Sequence, residues 1–346
     1  MQGFSGTGTK DGDVAPRTVP TMGEEMTGPA ASLSGLAQAA DGDAVRAAFS
    51  VLRARRPEFS GYLDHFEDLL AAVADETARL SSWDPVLPGA DALRLSRGVP
   101  LLQGADPAAM DGFEAALTAS LETFAPLLAA IFPPLGPAAK ALRADVAEGR
   151  MAASELAAHV LDADSARLAA LAGRTGLDAG SLAFMAHFVI SPVFRRLRAK
   201  AAPVLAEGGL SGVWPGVTCP VCGGAPSLSF LSRAEQGELS EYLRGGGGQR
   251  LLSCGQCGHV WRTRRIICPG CGTDDQDSLF WRAAEGAPHE RIYGCSGCST
   301  YLPCIDLREC SEDVEPLTAP LGLAHLDIAA REYGLSPVGS YPWNAF

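Results

Sequence analysis

Eight of the ten cysteines in this 346-residue chain fall in four Cys-x-x-Cys pairs, all within residues 219–298. The pairs read CPVCGG from Cys219, CGQCG from Cys254, CPGCG from Cys268 and CSGCS from Cys295. Two cysteines so spaced form a tight turn whose sulfurs point at one ion, and two such turns complete a tetrahedral four-sulfur site. One pair alone is equally a redox dithiol. Four pairs imply two metal sites, each clasping a β-ribbon too small to hold a core without its ion.

Three ways of pairing the turns exist, and loop length selects among them. Thirty-one residues separate Cys222 from Cys254, and 23 separate Cys271 from Cys295, enough in each case for a strand, a loop and a returning strand. The ten residues between Cys257 and Cys268 suit a connector. Site one is therefore expected to use Cys219, Cys222, Cys254 and Cys257, and site two Cys268, Cys271, Cys295 and Cys298. Gly223, Gly258 and Gly272 follow the second cysteine of their turns, where positive φ lets backbone N–H groups approach the thiolates. This is the knuckle of rubredoxins and zinc ribbons, and such sites accept iron or zinc. A closed four-thiolate site has no open position for a substrate, so the ions read first as structural staples. Electron transfer or iron handling is the sharper alternative. Cys304 and Cys310 stand outside the pairs and read as incidental thiols.

The rest of the chain changes character twice. Residues 1–29 are rich in Gly, Thr, Pro and Asp without a hydrophobic period and read as a disordered tail. Residues 30–210 shift to Ala and Leu at helical spacing and read as an all-helical domain of roughly six or seven helices. Phe59, Leu63, Phe66, Leu70 and Val73 form one stripe, and Phe113, Leu117, Leu121 and Phe124 another, with Pro126 bending or restarting that helix. Gly136-Pro137 opens a helix, Ser154 and Asp178 are candidate N-caps, and Ser191-Pro192 reads as the start of a further helix. Short β-prone runs then appear at 227–231, 249–253, 259–263, 279–282, 291–293 and 300–307, with a flexible tip at 245–248. The fold class is mainly α with small β. A metal domain over 211–266 and a second over 267–312 are followed by a C-terminal segment, 313–346, whose helix packs back on the helical domain.

A net charge of −12 argues against a general nucleic-acid binder. No run of eighteen apolar residues marks a membrane span, and no signal peptide is evident, so a cytoplasmic location is expected. No nucleotide-binding loop, G-x-S-x-G or H-E-x-x-H occurs, and nothing requires an enzyme. His65, His159 and His187 lack partners at ligand spacing and read as structural. His259 reads as a neighbour of its knuckle. Arg195, Arg196, Arg198 and Lys200 read as a solvated helix end. Arg262, Arg264 and Arg265, beside Trp261, could grip RNA or an acidic protein, or simply form a solvated strand face.

The series VWPGVTCPVCGGAPSLSFL, QRLLSCGQCGHVWRTRRIICPGCG and YGCSGCSTYL, followed by AHLDIAAREYGLSPV, resembles the FdhE-type formate dehydrogenase accessory proteins. The resemblance covers about residues 213–346. It implies a helical domain carrying two rubredoxin-like metal domains, and a post-translational role through binding the catalytic subunit of formate dehydrogenase. It also implies iron rather than zinc at the eight cysteines, and a cytoplasmic chaperone rather than an enzyme. The chain departs from the pattern at Cys304, where a basic residue is expected, and in its long N-terminal tail. The rival reading is a zinc-ribbon nucleic-acid or transcription-associated protein using Arg262, Arg264 and Arg265. A third is a redox enzyme component.

Overall fold

The computed structural model describes residues 4–5, 41–210, 212–233, 248–310 and 314–344. The tail expected over residues 1–29 lies outside these, apart from Phe4–Ser5. The glycine tip expected at 245–248 also lies outside them, apart from Gly248.

Helices of nine or more residues are α1 (Gly42–Arg55), α2 (Glu67–Arg79), α3 (Phe113–Ile131), α4 (Gly136–Ala147), α5 (Ala166–Thr175), α6 (Ala179–Glu207) and α7 (Ala324–Glu332). Their starts follow local chemistry. Asp41 accepts from the Ala44 N–H at 2.8 Å, and Asp178 from that of Ser181 at 2.7 Å, so both aspartates satisfy otherwise orphaned donors. The stripe Phe113, Leu117, Leu121 and Phe124 is buried on α3. The earlier stripe is buried at Leu63, Phe66, Leu70 and Val73, but it spans a short helix ending at Asp64 and then α2.

Three local expectations are corrected. No new helix starts at Ser191-Pro192: α6 runs for 29 residues through Pro192 and Pro203. An interior proline forfeits a backbone bond, at about 3 kcal/mol or more, but Ile190 to Phe194 are all buried and their packing offsets this. Pro126 does not restart α3, which continues to Ile131. Ser154 is no cap either. That turn is a 3-10 segment beginning at Ala153, and the Glu114 carboxylate of α3 accepts from the Ala153 and Ser154 N–H groups at 2.5 and 2.9 Å.

Among the described residues α3 is the one single helix long and apolar enough to cross a membrane. Its Phe113, Leu117, Leu121, Phe124 and Leu128 face is instead buried in the helical core, where α3 packs on α2, α4 and α6.

The strands are β1 (Phe4–Ser5), β2 (Pro226–Leu231), β3 (Arg250–Cys254), β4 (Val260–Thr263), β5 (Leu279–Ala284), β6 (Ala287–Cys295), β7 (Thr300–Asp306) and β8 (Ser336–Pro337). They form one sheet in the order β1-β5-β6-β7-β2-β3-β4, with β8 on β7. Pairing is antiparallel except for β2 with β7 and β7 with β8. The parallel register Ser229 to Cys304, Phe230 to Ile305 and Leu231 to Asp306 joins the two cysteine ribbons into a single sheet.

This sheet is a middle layer. Strand alternation sends Leu252 and Leu302 into the helical core, and their neighbours Leu251 and Tyr301 into a second core beneath α7. Burial on both faces explains why β2 and β3 have no exposed side. The C-terminal segment returns to the helical core through Leu321, Tyr341 and Trp343, and the Tyr62 hydroxyl donates to the Trp343 carbonyl at 2.8 Å. Its helix α7 places Leu326, Ala329 and Ala330 on the sheet.

Candidate metal centres

The eight paired cysteines converge on two points. Cys219, Cys222, Cys254 and Cys257 form one set and Cys268, Cys271, Cys295 and Cys298 the other, with the sulfurs of each set within 4.8 Å of one another. Cys219 Sγ lies 3.6 Å from Cys257 Sγ, and Cys222 Sγ lies 3.6 Å from Cys254 Sγ. In the second set the separations are 3.6 Å for Cys268–Cys298 and 3.9 Å for Cys271–Cys295. A tetrahedron with metal–sulfur bonds of about 2.3 Å has edges of about 3.8 Å, and a disulfide requires about 2.05 Å. Donor type and spacing thus fit a four-coordinate ion in each set. The grouping follows the sequential pairing.

Three of the turns are closed by a backbone bond. The Gly223 N–H donates to the Cys219 carbonyl, Gly258 to Cys254 and Gly272 to Cys268, at 2.9, 3.0 and 2.8 Å. These glycines have φ of +79°, +68° and +77°. Other N–H groups approach sulfur: Gly224 toward Cys222 at 3.4 Å, Cys257 toward Cys254 at 3.5 Å and Gly270 toward Cys268 at 3.3 Å. The fourth turn places Ser299 at φ +54°, a left-handed conformation that a side chain disfavours.

The first set is built into the helical core, of which all four of its cysteines are members. The Leu101 and Leu102 N–H groups donate to the Pro220 and Val221 carbonyls at 2.8 and 2.9 Å, gripping the first knuckle. Helix α6 grips the second. The Ser191 hydroxyl donates to the Gln256 carbonyl at 3.0 Å, and His187 Nδ1 lies 3.1 Å from Gln256 Oε1. Arg195 approaches Gly258 so closely that a Cβ there would collide with its guanidinium.

His187, Ser191 and Arg195 recur every four residues, so one stripe of α6 faces the knuckle. That i, i+4, i+8 polar stripe was the available signal for a contact that reading each residue alone missed. Burial and the Arg195 cation push His187 down to about 3, which keeps it neutral. Arg195 itself is pushed down by burial and Arg198, against the opposing charges of Glu315, Cys257 and Cys254.

The basic run is therefore not a helix end. It lies inside α6, where Arg196 Nε donates to the Trp83 carbonyl at 2.7 Å and Lys200 pairs with Asp84. Of the other expected neighbours, His259 is half-buried and held down to about 4 by desolvation and the Arg198 cation. His65 and His159 bond to backbone carbonyls of their own helical turns. Cys304 is fully buried, and its thiol is pushed up to about 11 by burial.

The second set is the more accessible, with Cys271 exposed and Cys298 half-exposed. Thr300 Oγ1 lies 3.0 Å from Cys298 Sγ. Arg250, buried on β3, links the two sets: its Nη1 donates to the Ile267 carbonyl at 2.8 Å, just before Cys268, and its guanidinium lies 4.9 Å from the Tyr293 ring centroid. Arg262, Arg264 and Arg265 are exposed on the connector between the sets. Trp261 is buried and stacked on His259, with ring centroids 6.3 Å apart, so this ring offers those arginines no exposed aromatic face.

No family model matches the chain. Over 120 residues, 35% of the chain, it is 33% identical to a protein FdhE homolog of Aquifex aeolicus (strain VF5), of which the match covers 39%. Over 126 residues it is 29% identical to a protein FdhE homolog of Haemophilus ducreyi, covering 36% of the chain and 37% of that protein. The aligned stretch thus spans about two fifths of the length of these curated relatives. The crystal structure of the FdhE protein from Pseudomonas aeruginosa matches the fold with a TM-score of 0.51 over 86% of this chain and 93% of that one, at 20% identity. The chain is thus similar in sequence to these two FdhE homologues over about a third of its length, and it shares the fold of the FdhE crystal structure over most of its length.

Proposed function

We propose that this protein is an accessory factor for formate dehydrogenase, acting after translation in the cytoplasm by binding that enzyme's catalytic subunit. Its own residues do no catalysis in this reading. Cys219, Cys222, Cys254 and Cys257 hold one ion, and Cys268, Cys271, Cys295 and Cys298 a second, iron in preference to zinc. A four-thiolate site leaves no coordination position open to substrate, so the ion's contribution is to lock the turns together. The observation that carries this reading is the building of one four-cysteine set into the helical core. An ion there would clamp helices to sheet and hold the molecular surface rigid, as a docking protein requires.

Nucleic-acid binding gains no support from the site. Trp261, the aromatic neighbour of the exposed arginines in sequence, is buried, Arg264 already pairs with Asp274 at 3.1 Å, and the chain is strongly acidic overall. Deleting the gene should lower formate dehydrogenase activity while leaving the enzyme's transcript unchanged, and affinity isolation from the host should recover the catalytic subunit with two metal equivalents per chain. Normal activity in the deletion strain would overturn the proposal.

A further inference from the structure

The two cysteine sets share donor type and spacing but differ in access. In site one all four cysteines are buried, and both knuckles are held by backbone and side-chain bonds from the helical domain. Reaching a sulfur there requires the helices to part from the sheet, a sub-global opening. In site two Cys271 is exposed and Cys298 half-exposed. The remaining two ligands, Cys268 and Cys295, line a surface pocket of about 110 Å³ together with Arg250, Arg265 and Phe280. The second set can therefore be approached from two sides without any opening.

We propose that site two is the exchangeable centre, through which an ion passes to or from a thiolate-bearing partner, while site one stays closed. The inference rests on the reading that both sets hold metal. Exchange there is a ligand substitution: a bond from the incoming sulfur to the ion forms as the Cys271 bond breaks, and the released thiolate takes up a proton. No electron moves. The Thr300 hydroxyl, 3.0 Å from Cys298 Sγ, can donate to that sulfur when, after Cys271, its own bond to the ion breaks in turn. Ser299, held at φ +54° where the other turns carry glycine, makes the fourth turn the least comfortable of the four. The exposed Arg262 and Arg265 place positive charge on the connector leading to Cys268, which suits the approach of an anionic thiolate group.

The test is metal release from the full-length chain loaded with two equivalents of zinc and challenged with a chromogenic chelator such as pyridylazoresorcinol. Two phases are expected, with one equivalent leaving at least about tenfold faster because it needs no opening of the fold. Cys298→Ser should abolish the fast phase and leave the slow one unchanged. In the unmutated chain, alkylation with iodoacetamide during release should label Cys271 and Cys298 before any cysteine of site one, so the test survives a variant that does not fold. Release of both equivalents at one rate, a fast phase that persists in Cys298→Ser, or earlier labelling of Cys219 or Cys254 would overturn the proposal. Failure of the chain to retain any zinc would overturn the metal reading beneath it.

Discussion

His187 Nδ1 lies 3.1 Å from Oε1 of Gln256, the residue just before Cys257, so helix α6 directly buttresses a cysteine knuckle. The Gln256 amide returns a bond to the His187 carbonyl at 3.3 Å. Both side chains are buried, and removing either leaves the other unsatisfied. Gln256→Ala should therefore cost roughly 1–3 kcal/mol. Urea unfolding followed by far-UV circular dichroism checks this, and a loss no larger than that of an exposed control substitution would count against the buttress.

Removing a ligand should have consequences that depend on which set it belongs to. Cys254→Ser is expected to drop metal content from two equivalents to one and to lower the melting temperature of the helical signal, because site one lies within the helical core. Cys298→Ser should also remove one equivalent but leave the helical transition within a few degrees of its original value. Metal analysis and thermal melting on the same samples separate the two. Loss of both ions from Cys254→Ser would contradict the sequential grouping.

The fourth knuckle offers a stabilising substitution. Ser299 adopts φ +54°, and its carbonyl accepts from the Ser336 N–H at 2.9 Å, so the turn cannot relax without breaking the pairing of β7 with β8. A left-handed conformation costs a side-chain-bearing residue roughly 1–2 kcal/mol, and glycine gives back part of that gain through its greater freedom in the unfolded chain. Ser299→Gly should stabilise the protein by about 0.5–1 kcal/mol. Gly223→Ala, at φ +79°, should destabilise it by a similar or larger amount. Chemical denaturation midpoints of the two variants should move in opposite directions.

How far the sequence carried the structure depends on the range of the signal. The grouping of the eight paired cysteines was legible because a Cys-x-x-Cys turn is local and loop length limits which turns can meet. All six internal strands were legible for the same reason, each flanking a turn. The long α6 was not, since an interior proline reads as a break until the burial of Ile190 to Phe194 is known. Nor was the fusion of the ribbons into one sheet, which rests on the parallel pairing of β2 with β7, residues more than seventy positions apart. The stripe of His187, Ser191 and Arg195 was visible as spacing, but its target, the turn at Gln256, is a tertiary fact.

Acid should weaken the junction between α1 and the sheet. Glu290, on β6, accepts from Arg55 at 2.9 Å and Arg56 at 2.6 Å at the end of α1, and lies 2.9 Å from His325 of α7. Burial pushes its pKa up, but the bond and charge from His325 and the Arg56 cation outweigh burial and hold it at about 2, below the ordinary 4.5. The unfolded chain therefore binds the proton first as pH falls. The stabilisation is complete above about pH 4.5 and is lost between there and pH 2, amounting to at most ~3 kcal/mol. Glu290→Gln should be destabilised at pH 7 by about 1–3 kcal/mol, because it removes the buried anion that the half-buried Arg56 and the more exposed Arg55 share, and the gap to the original protein should narrow at pH 3. Parallel urea titrations at the two pH values measure that convergence.

Asp327 should impose the opposite dependence from the same face of the sheet. It is buried on α7, and the Tyr301 hydroxyl donates to its Oδ1 at 2.7 Å. Burial raises its pKa to about 7, against the opposing effects of the Tyr301 bond and the Arg331 charge. Between its ordinary 3.8 and about 7 the folded protein holds a proton that the unfolded chain has released, so this group's contribution to stability falls as pH rises through that window and is flat above it. Asn at 327 keeps an oxygen to accept from Tyr301 and carries no charge at any pH. Asp327→Asn should therefore match the original protein near pH 4 and exceed it by roughly 1–3 kcal/mol at pH 8. Urea midpoints at the two pH values decide the matter: a variant less stable than the original at pH 8 would mean that the charged carboxylate is stabilised in place, by Arg331 or by water.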